Sequence, residues 1–163
     1  MSNTLLVVLL ICLVPIHAPV SQSRSFETIV PTATQRFRIR TITAGINLKS
    51  TSDVSSVASA ITFLQTAKKK FEDAGYEIHT LRIATQPLPQ YLNGKSRQEA
   101  LADLKKLDAT VSSAGVLLSI GPVITDDHYD PAFASWASAL VLETRNINFS
   151  VSVASPERGI HPQ

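Results

Sequence analysis

The densest concentration of side chains able to do chemistry in this chain is the run Asp126-Asp127-His128-Tyr129-Asp130. Carboxylates beside an imidazole can ligate a metal ion, or divide acid and base roles between them. Neighbours within one loop seldom all project the same way. The competing reading is therefore that Asp130 caps a following helix while Asp126 and Asp127 are solvated. Arg82 is the second candidate. It falls two residues before the end of a predicted strand, where a guanidinium can hold a carboxylate or phosphate as a bidentate fork. An ordinary surface or ion-paired arginine is the alternative. His79 reads as a mid-strand structural side chain, and His161 lies in the last three residues. Asn148-Phe149-Ser150 is a glycosylation sequon set inside a predicted strand. No glycine-rich phosphate loop, HExxH or GxSxG pattern is present, so no reaction is signalled by a motif.

The elements that position these residues are legible from hydrophobic period. Phe37 to Leu48 reads as a strand, because Arg36, Arg38 and Arg40 alternate with Phe37 and Ile39. Its later part carries Thr41, Thr43 and Gly45, small enough to let a backbone or ligand come close. A helix capped by Ser52 or Asp53 follows, with Val54, Val57, Ile61, Leu64, Ala67, Phe71 and Ala74 as its apolar stripe. Gly75 stops it. Tyr76 to Ala84 is the second strand, and Pro87 and Pro89 predict irregular chain after it. The second helix opens with a capping box, Ser96 to Glu99, and buries Leu101, Leu104, Leu107 and Val111. Val116 to Ile120 is apolar on both faces, which predicts a strand covered on both sides. A third helix is expected from Asp130-Pro131, with Phe133, Trp136, Ala137, Leu140 and Val141 inward. Ile147 to Ala154 is the fourth strand, and the tail SPERGIHPQ shows no period.

The order is βαβαβαβ. The fold class is therefore α/β: a parallel sheet with covering helices and right-handed crossovers. In such sheets ligands bind beyond the C-terminal strand ends. That rule selects Thr43, Asn47, Arg82, Thr85, Asp126, Asp127 and His128 as candidate ligand-binding residues.

Composition sets the outer bounds. The chain has 163 residues, enough for one domain, and a net charge of only +2 from 15 basic and 13 acidic residues. Charge this weak and dispersed does not predict a nucleic-acid partner. Lys68-Lys69-Lys70 near the end of the first helix reads as a solvated terminus facing the negative dipole end. Leu5 to Val14 is an unbroken apolar run, shorter than the roughly 18 residues a membrane span needs, and small residues follow it up to Ser23. Residues 1–23 are expected to be a signal segment, cleaved after Ala18 or Ser23, which predicts a secreted protein. No Lys or Arg precedes the run, so an uncleaved membrane anchor is the alternative. Residues 24–35 read as a linker and 36–163 as a single α/β domain. The only cysteine, Cys12, lies in the signal segment, so the exported chain is expected to lack disulfides and thiolate chemistry.

The runs RIRTITAGINL, FEDAGYEIHTLRIATQPLPQYL and ASPERGIHPQ, with the SIGP turn, resemble a family of uncharacterised proteins. It is called domain of unknown function seven hundred eleven, and its members adopt a pyruvate-formate-lyase-like barrel. The similarity covers nearly everything from Phe37 onward, most specifically from FEDAGYE to ATQP. The resemblance implies that these strands are the first four of a larger β/α barrel related in fold to glycyl radical enzymes. It does not imply their chemistry, which needs a radical glycine and active-site cysteines, because residues 24–163 contain no cysteine. It assigns no catalytic residue and no cofactor. Three functions stay open: a small-ligand or metal site at the strand ends, a non-catalytic binding or structural module, and an inactive piece of a longer barrel protein. Self-association through the edge strand Ile147–Ala154 is a further expectation.

Overall fold

The computed structural model describes residues 37–157 and 159–160, all within the compact unit Ala33–Gln163. The expected signal segment and linker, with Cys12 and His161, lie outside the described residues. The elements are β1 (Arg38–Ile46), α1 (Val54–Asp73), β2 (Glu77–Thr85), α2 (Arg97–Ser113), β3 (Val116–Pro122), α3 (Phe133–Glu143) and β4 (Ile147–Ser150). A short hairpin of β5 (Ala154–Ser155) and β6 (Gly159–Ile160) follows.

The expected α/β architecture is present: one parallel sheet in the order β1-β2-β3-β4, with the three helices as crossovers. Because the order never reverses, right-handed crossovers place every helix on the same face of the sheet. The packing agrees, since α1 lies against β1 and β2, α2 against β3, and the helices touch in sequence, α1 to α2 to α3. The core lies between the two layers. From the sheet it takes Ala44, Leu81, Ile83, Val116, Leu118 and Ile120, and from the helices Val57, Leu64, Leu104, Leu107, Trp136 and Leu140. Truncating any of the fully buried leucines to alanine is worth about 2–5 kcal/mol.

Local chemistry explains the helix starts. Asp53 takes the Ser56 N–H at 3.2 Å and so caps α1. Ser96 and Glu99 form the anticipated capping box on α2, the Glu99 carboxylate accepting the Ser96 N–H at 2.7 Å. That backbone N–H is also what holds the Glu99 carboxyl below its usual range.

Six expectations need correction. β3 is not covered on both sides: Leu117 and Ser119 stay partly exposed while Val116, Leu118 and Ile120 are buried. After β2 the chain is not irregular, because Pro87 and Pro89 launch a 3₁₀ turn over Leu88–Tyr91 in which Leu88 and Tyr91 are buried. α3 begins at Phe133 rather than Asp130, since the Asp130 carboxylate accepts the Ala132 N–H at 2.9 Å and holds a preceding turn. Val141 is 65% exposed, lying a quarter turn off the line through Phe133, Trp136, Ala137 and Leu140. On α1, Val54, Phe71 and Ala74 are exposed and Ala60 is buried instead; Phe71 meets only the exposed Tyr76, edge-on at 5.9 Å. Finally, β4 stops at Ser150, and the tail expected to lack structure forms the β5–β6 hairpin. The chain turns there because the Ser152 N–H goes to the Ile124 carbonyl at 2.9 Å, outside the β3–β4 ladder.

Candidate functional site

The sheet face turned away from the helices is where uncommitted polar groups collect. Register places Thr43 beside Arg82 and Arg82 beside Leu117. One step toward the strand ends, Gly45, Ala84, Ser119 and Asn148 form a continuous row across all four strands. Period-two alternation puts these two rows on one face, since the intervening Ala44, Ile83 and Leu118 are buried under the helices. Gly45 and Ala84 make the floor of a recess, and a side chain at Gly45 would meet no atom within 4 Å.

Beyond that row lies a cavity of about 340 Å³ lined by Gly45, Ile46, Asn47, Ala84, Thr85 and Gln86. It sits at the C-terminal ends of β1 and β2, where parallel sheets bind ligands. Its rim is fixed from several sides. Gln86 clamps the β1 exit, accepting the Leu48 N–H at 3.0 Å and donating to the Leu48 carbonyl at 2.7 Å. The Asn93 amide donates to the Lys49 carbonyl at 2.8 Å. Buried Thr51 donates to Asp103 of α2 at 3.0 Å, and Lys95, which bonds the same carboxylate, holds the Asp103 carboxyl low. Tyr91 donates to the Ile120 carbonyl at 3.1 Å and lies 3.2 Å from the Thr85 hydroxyl. Burial pushes the Tyr91 phenol up to about 12. Gly121, at φ +72°, lets β3 leave the sheet against the Gln86 carbonyl.

The residues selected from sequence fall into two groups. Asn47 and Thr85 line the β1–β2 cavity, and Thr43 and Arg82 share the row beneath it. Thr85 serves the fold as well, through Tyr91 and the Gln86 carbonyl. Asp126 and His128 stand apart, in the loop between β3 and α3. They pair with each other at 3.0 Å and line a separate cavity of about 160 Å³ with Ile124, Phe133, Val151, Ser152 and Val153. Asp127 keeps one carboxylate oxygen buried without a hydrogen-bond partner. No ion pair joins Arg82 to this loop among the described residues. Nor do three His, Cys, Asp or Glu side chains converge as a metal site among them.

Asp130 is drawn the other way. Burial raises its carboxyl, but the Ala132 N–H and the guanidinium of Arg97 outweigh that and leave it low. Arg97 bonds Asp130 and stacks over the Phe133 and Trp136 rings, 5.8 and 5.4 Å from their centroids. The group is a structural anchor for α3.

Ser119, Asn148, Ala84 and Gln86 were not singled out as site residues from sequence. Ser119 and Asn148 each sit one strand from the next candidate, and only register reveals that they share a row with Ala84. The alternation around them was the available signal.

A family model described as uncharacterised ACR (DUF711) matches residues 32–163. No curated protein matches the chain, and no solved structure matches it.

Proposed function

We propose, from the premise that this chain belongs to the DUF711 family, that its α/β unit binds a small molecule at the C-terminal ends of β1 and β2. One observation carries the reading: a cavity of about 340 Å³ lies at that sheet end, a volume within the usual range for small-ligand sites. The chain beside it is held by the Gln86 amide on Leu48, the Asn93 amide on the Lys49 carbonyl and the Thr51 hydroxyl donating to Asp103, so the site is preformed and little ordering cost falls on binding. Thr43, Asn47, Arg82 and Thr85 are the binding residues in this reading. The family resemblance to a pyruvate-formate-lyase-like barrel supports it further, because in β/α barrels too the ligand end is the C-terminal end of the strands.

Gly45→Val tests the site without wrecking the fold. A Cβ there meets no atom within 4 Å, and replacing a strand glycine by a residue with a side chain removes an entropic penalty of about 0.5–1 kcal/mol. The variant should melt no lower than the parent, yet lose the binders found when a small-metabolite panel is screened by ligand-observed NMR. Binders that survive in Gly45→Val at unchanged affinity would place the site elsewhere.

A further inference from the structure

We infer that the ligand of this site carries an oxyanion, a carboxylate or phosphate group, which Arg82 holds on the open face of the sheet. The inference rests on the ligand-site reading above and names the chemistry of its substrate.

On the open face, the rows through Thr41, Thr43, Gly45 and Asn47 in β1 continue through Thr80, Arg82, Ala84 and Gln86 in β2. They end at Leu117 and Ser119 in β3 and Asn148 in β4. Arg82 is the single charge among them, and none is acidic. A lone guanidinium in a recess with no carboxylate to neutralise it sets a positive potential there, which favours anions and repels cations.

Hydrogen bonding points the same way. Polar side chains on the helix side are committed to the fold: Thr51 to Asp103, Thr85 to Tyr91, and Asp108 to the Arg145 and Asn146 N–H groups at 2.8–3.1 Å. Arg82 is committed to nothing. Its Nε is shielded from solvent and has no acceptor, and it forms no ion pair among the described residues. A dry donor without an acceptor is costly, at about 1–3 kcal/mol. An arriving oxyanion relieves that cost, and a small rotation of the side chain presents Nε and Nη together as a fork.

Geometry fits as well. Arg82 lies two residues below Ala84 on one face, roughly 7 Å along the strand, which an extended arginine spans. Arg82 stands just outside the lining of the cavity, and in that extended rotamer its guanidinium would enter the recess floored by Gly45 and Ala84, with Thr43, Ser119 and Asn148 on the flanking strands. Hydroxyls and an amide around a fork supply the additional donors that a three- or four-oxygen anion takes.

The test follows the arginine Nε–Hε resonances of the full chain by ¹⁵N NMR while inorganic phosphate or malonate is added. The Arg82 signal is identified by its loss in Arg82→Gln. We expect that signal to shift saturably with one probe, and the preferred probe tells phosphate from carboxylate. Affinity should fall roughly ten- to a hundredfold in Arg82→Gln, the range for losing a charge-assisted hydrogen bond. It should fall less in Arg82→Lys, which keeps the charge and loses the fork, and should be unchanged in Arg145→Gln. If Arg82→Gln does not fold, Arg82→Lys removes the same Nε–Hε signal and makes the assignment, and the shift in the parent protein then decides. An unmoved Arg82 signal at saturating levels of both probes overturns the anion assignment. If neutral binders are then lost in Gly45→Val but kept in Arg82→Gln, the ligand site stands and only its chemistry is wrong.

Discussion

Replacing Gly121 by alanine should destabilise the protein well beyond the ordinary cost of a left-handed residue. Gly121 sits at φ +72°, and a Cβ built there would lie 2.5 Å from the Gln86 carbonyl oxygen, 2.9 Å from its carbon and 3.0 Å from the Thr85 oxygen. All three are backbone atoms, so no side chain can swing away to make room. Gly115 is the control. It has φ +65° and nothing within 4 Å of its Cβ position, so Gly115→Ala carries the conformational cost alone, about 1–2 kcal/mol. Gly121→Ala carries that cost plus an overpacking term of about 1–3 kcal/mol. The sum is about 2–5 kcal/mol, a large share of the 5–15 kcal/mol that holds a typical domain together.

Urea unfolding followed by the fluorescence of Trp136 measures both variants. With a slope of about 1–3 kcal/mol per molar urea, the extra clash lowers the Gly121→Ala midpoint by about 1 M relative to Gly115→Ala. The pushed segment is the exit of β2, whose Thr85 and Gln86 line the cavity, so binding at the strand ends should weaken as well. Equal midpoints for the two variants would refute the reasoning. They would mean that β2 and β3 leave the sheet farther apart than the structure places them.

Two further outcomes follow from buried and capping carboxylates. Asp108, only 7% exposed, accepts the N–H groups of Arg145 and Asn146 where the chain enters β4; Asp108→Ala should cost about 1–3 kcal/mol for each N–H left dry, and a thermal shift within error of zero would show that water replaces it. Asp53 is held at about 2 by the Lys49 N–H, with Ser56 and Ser55 adding to the effect; a carboxyl lowered on folding stabilises above its unfolded pKa and loses that contribution as pH falls through its folded one. Stability should therefore drop between pH 4 and 2, and more shallowly in Asp53→Ser, which keeps a cap without a charge; urea midpoints at pH 5, 3 and 2 compare the two, and parallel slopes would remove Asp53 from the account.

The sheet was legible because helix and strand periods alternate cleanly along the chain, and parallel pairing follows from the crossovers alone. The capping box at Ser96–Glu99 and the stop at Gly75 were legible for the same reason: each is settled within four residues. What failed depended on distant partners. Asp130 and Pro131 carry the local signature of a helix start, but Arg97, thirty-three positions earlier, takes the Asp130 carboxylate and fixes a turn there instead. The serine and valine alternation through Val153 reads as strand, yet β4 ends at Ser150 because Ile124 supplies a nearer acceptor. Period carries no information about which acceptor a backbone N–H will find.

The site shows the same division more sharply. Proximity in sequence made Asp126, Asp127 and His128 the conspicuous group, yet Asp126 and His128 pair with each other and line a separate hollow, while Asp127 keeps a carboxylate oxygen buried without a partner. The row at the proposed site, Gly45, Ala84, Ser119 and Asn148, spans about a hundred positions and contains no charged or metal-ligating residue. It is recognisable only once register is known, because register decides which of two alternating faces a residue joins. On the helix face a threonine such as Thr85 finds a tyrosine and becomes part of the fold. On the open face the Arg82 Nε finds no acceptor among the described residues. A buried donor without an acceptor costs stability, and an anion held by Arg82, as proposed above, would supply the missing acceptor; on the helix face the same residue would have had to find one within the chain.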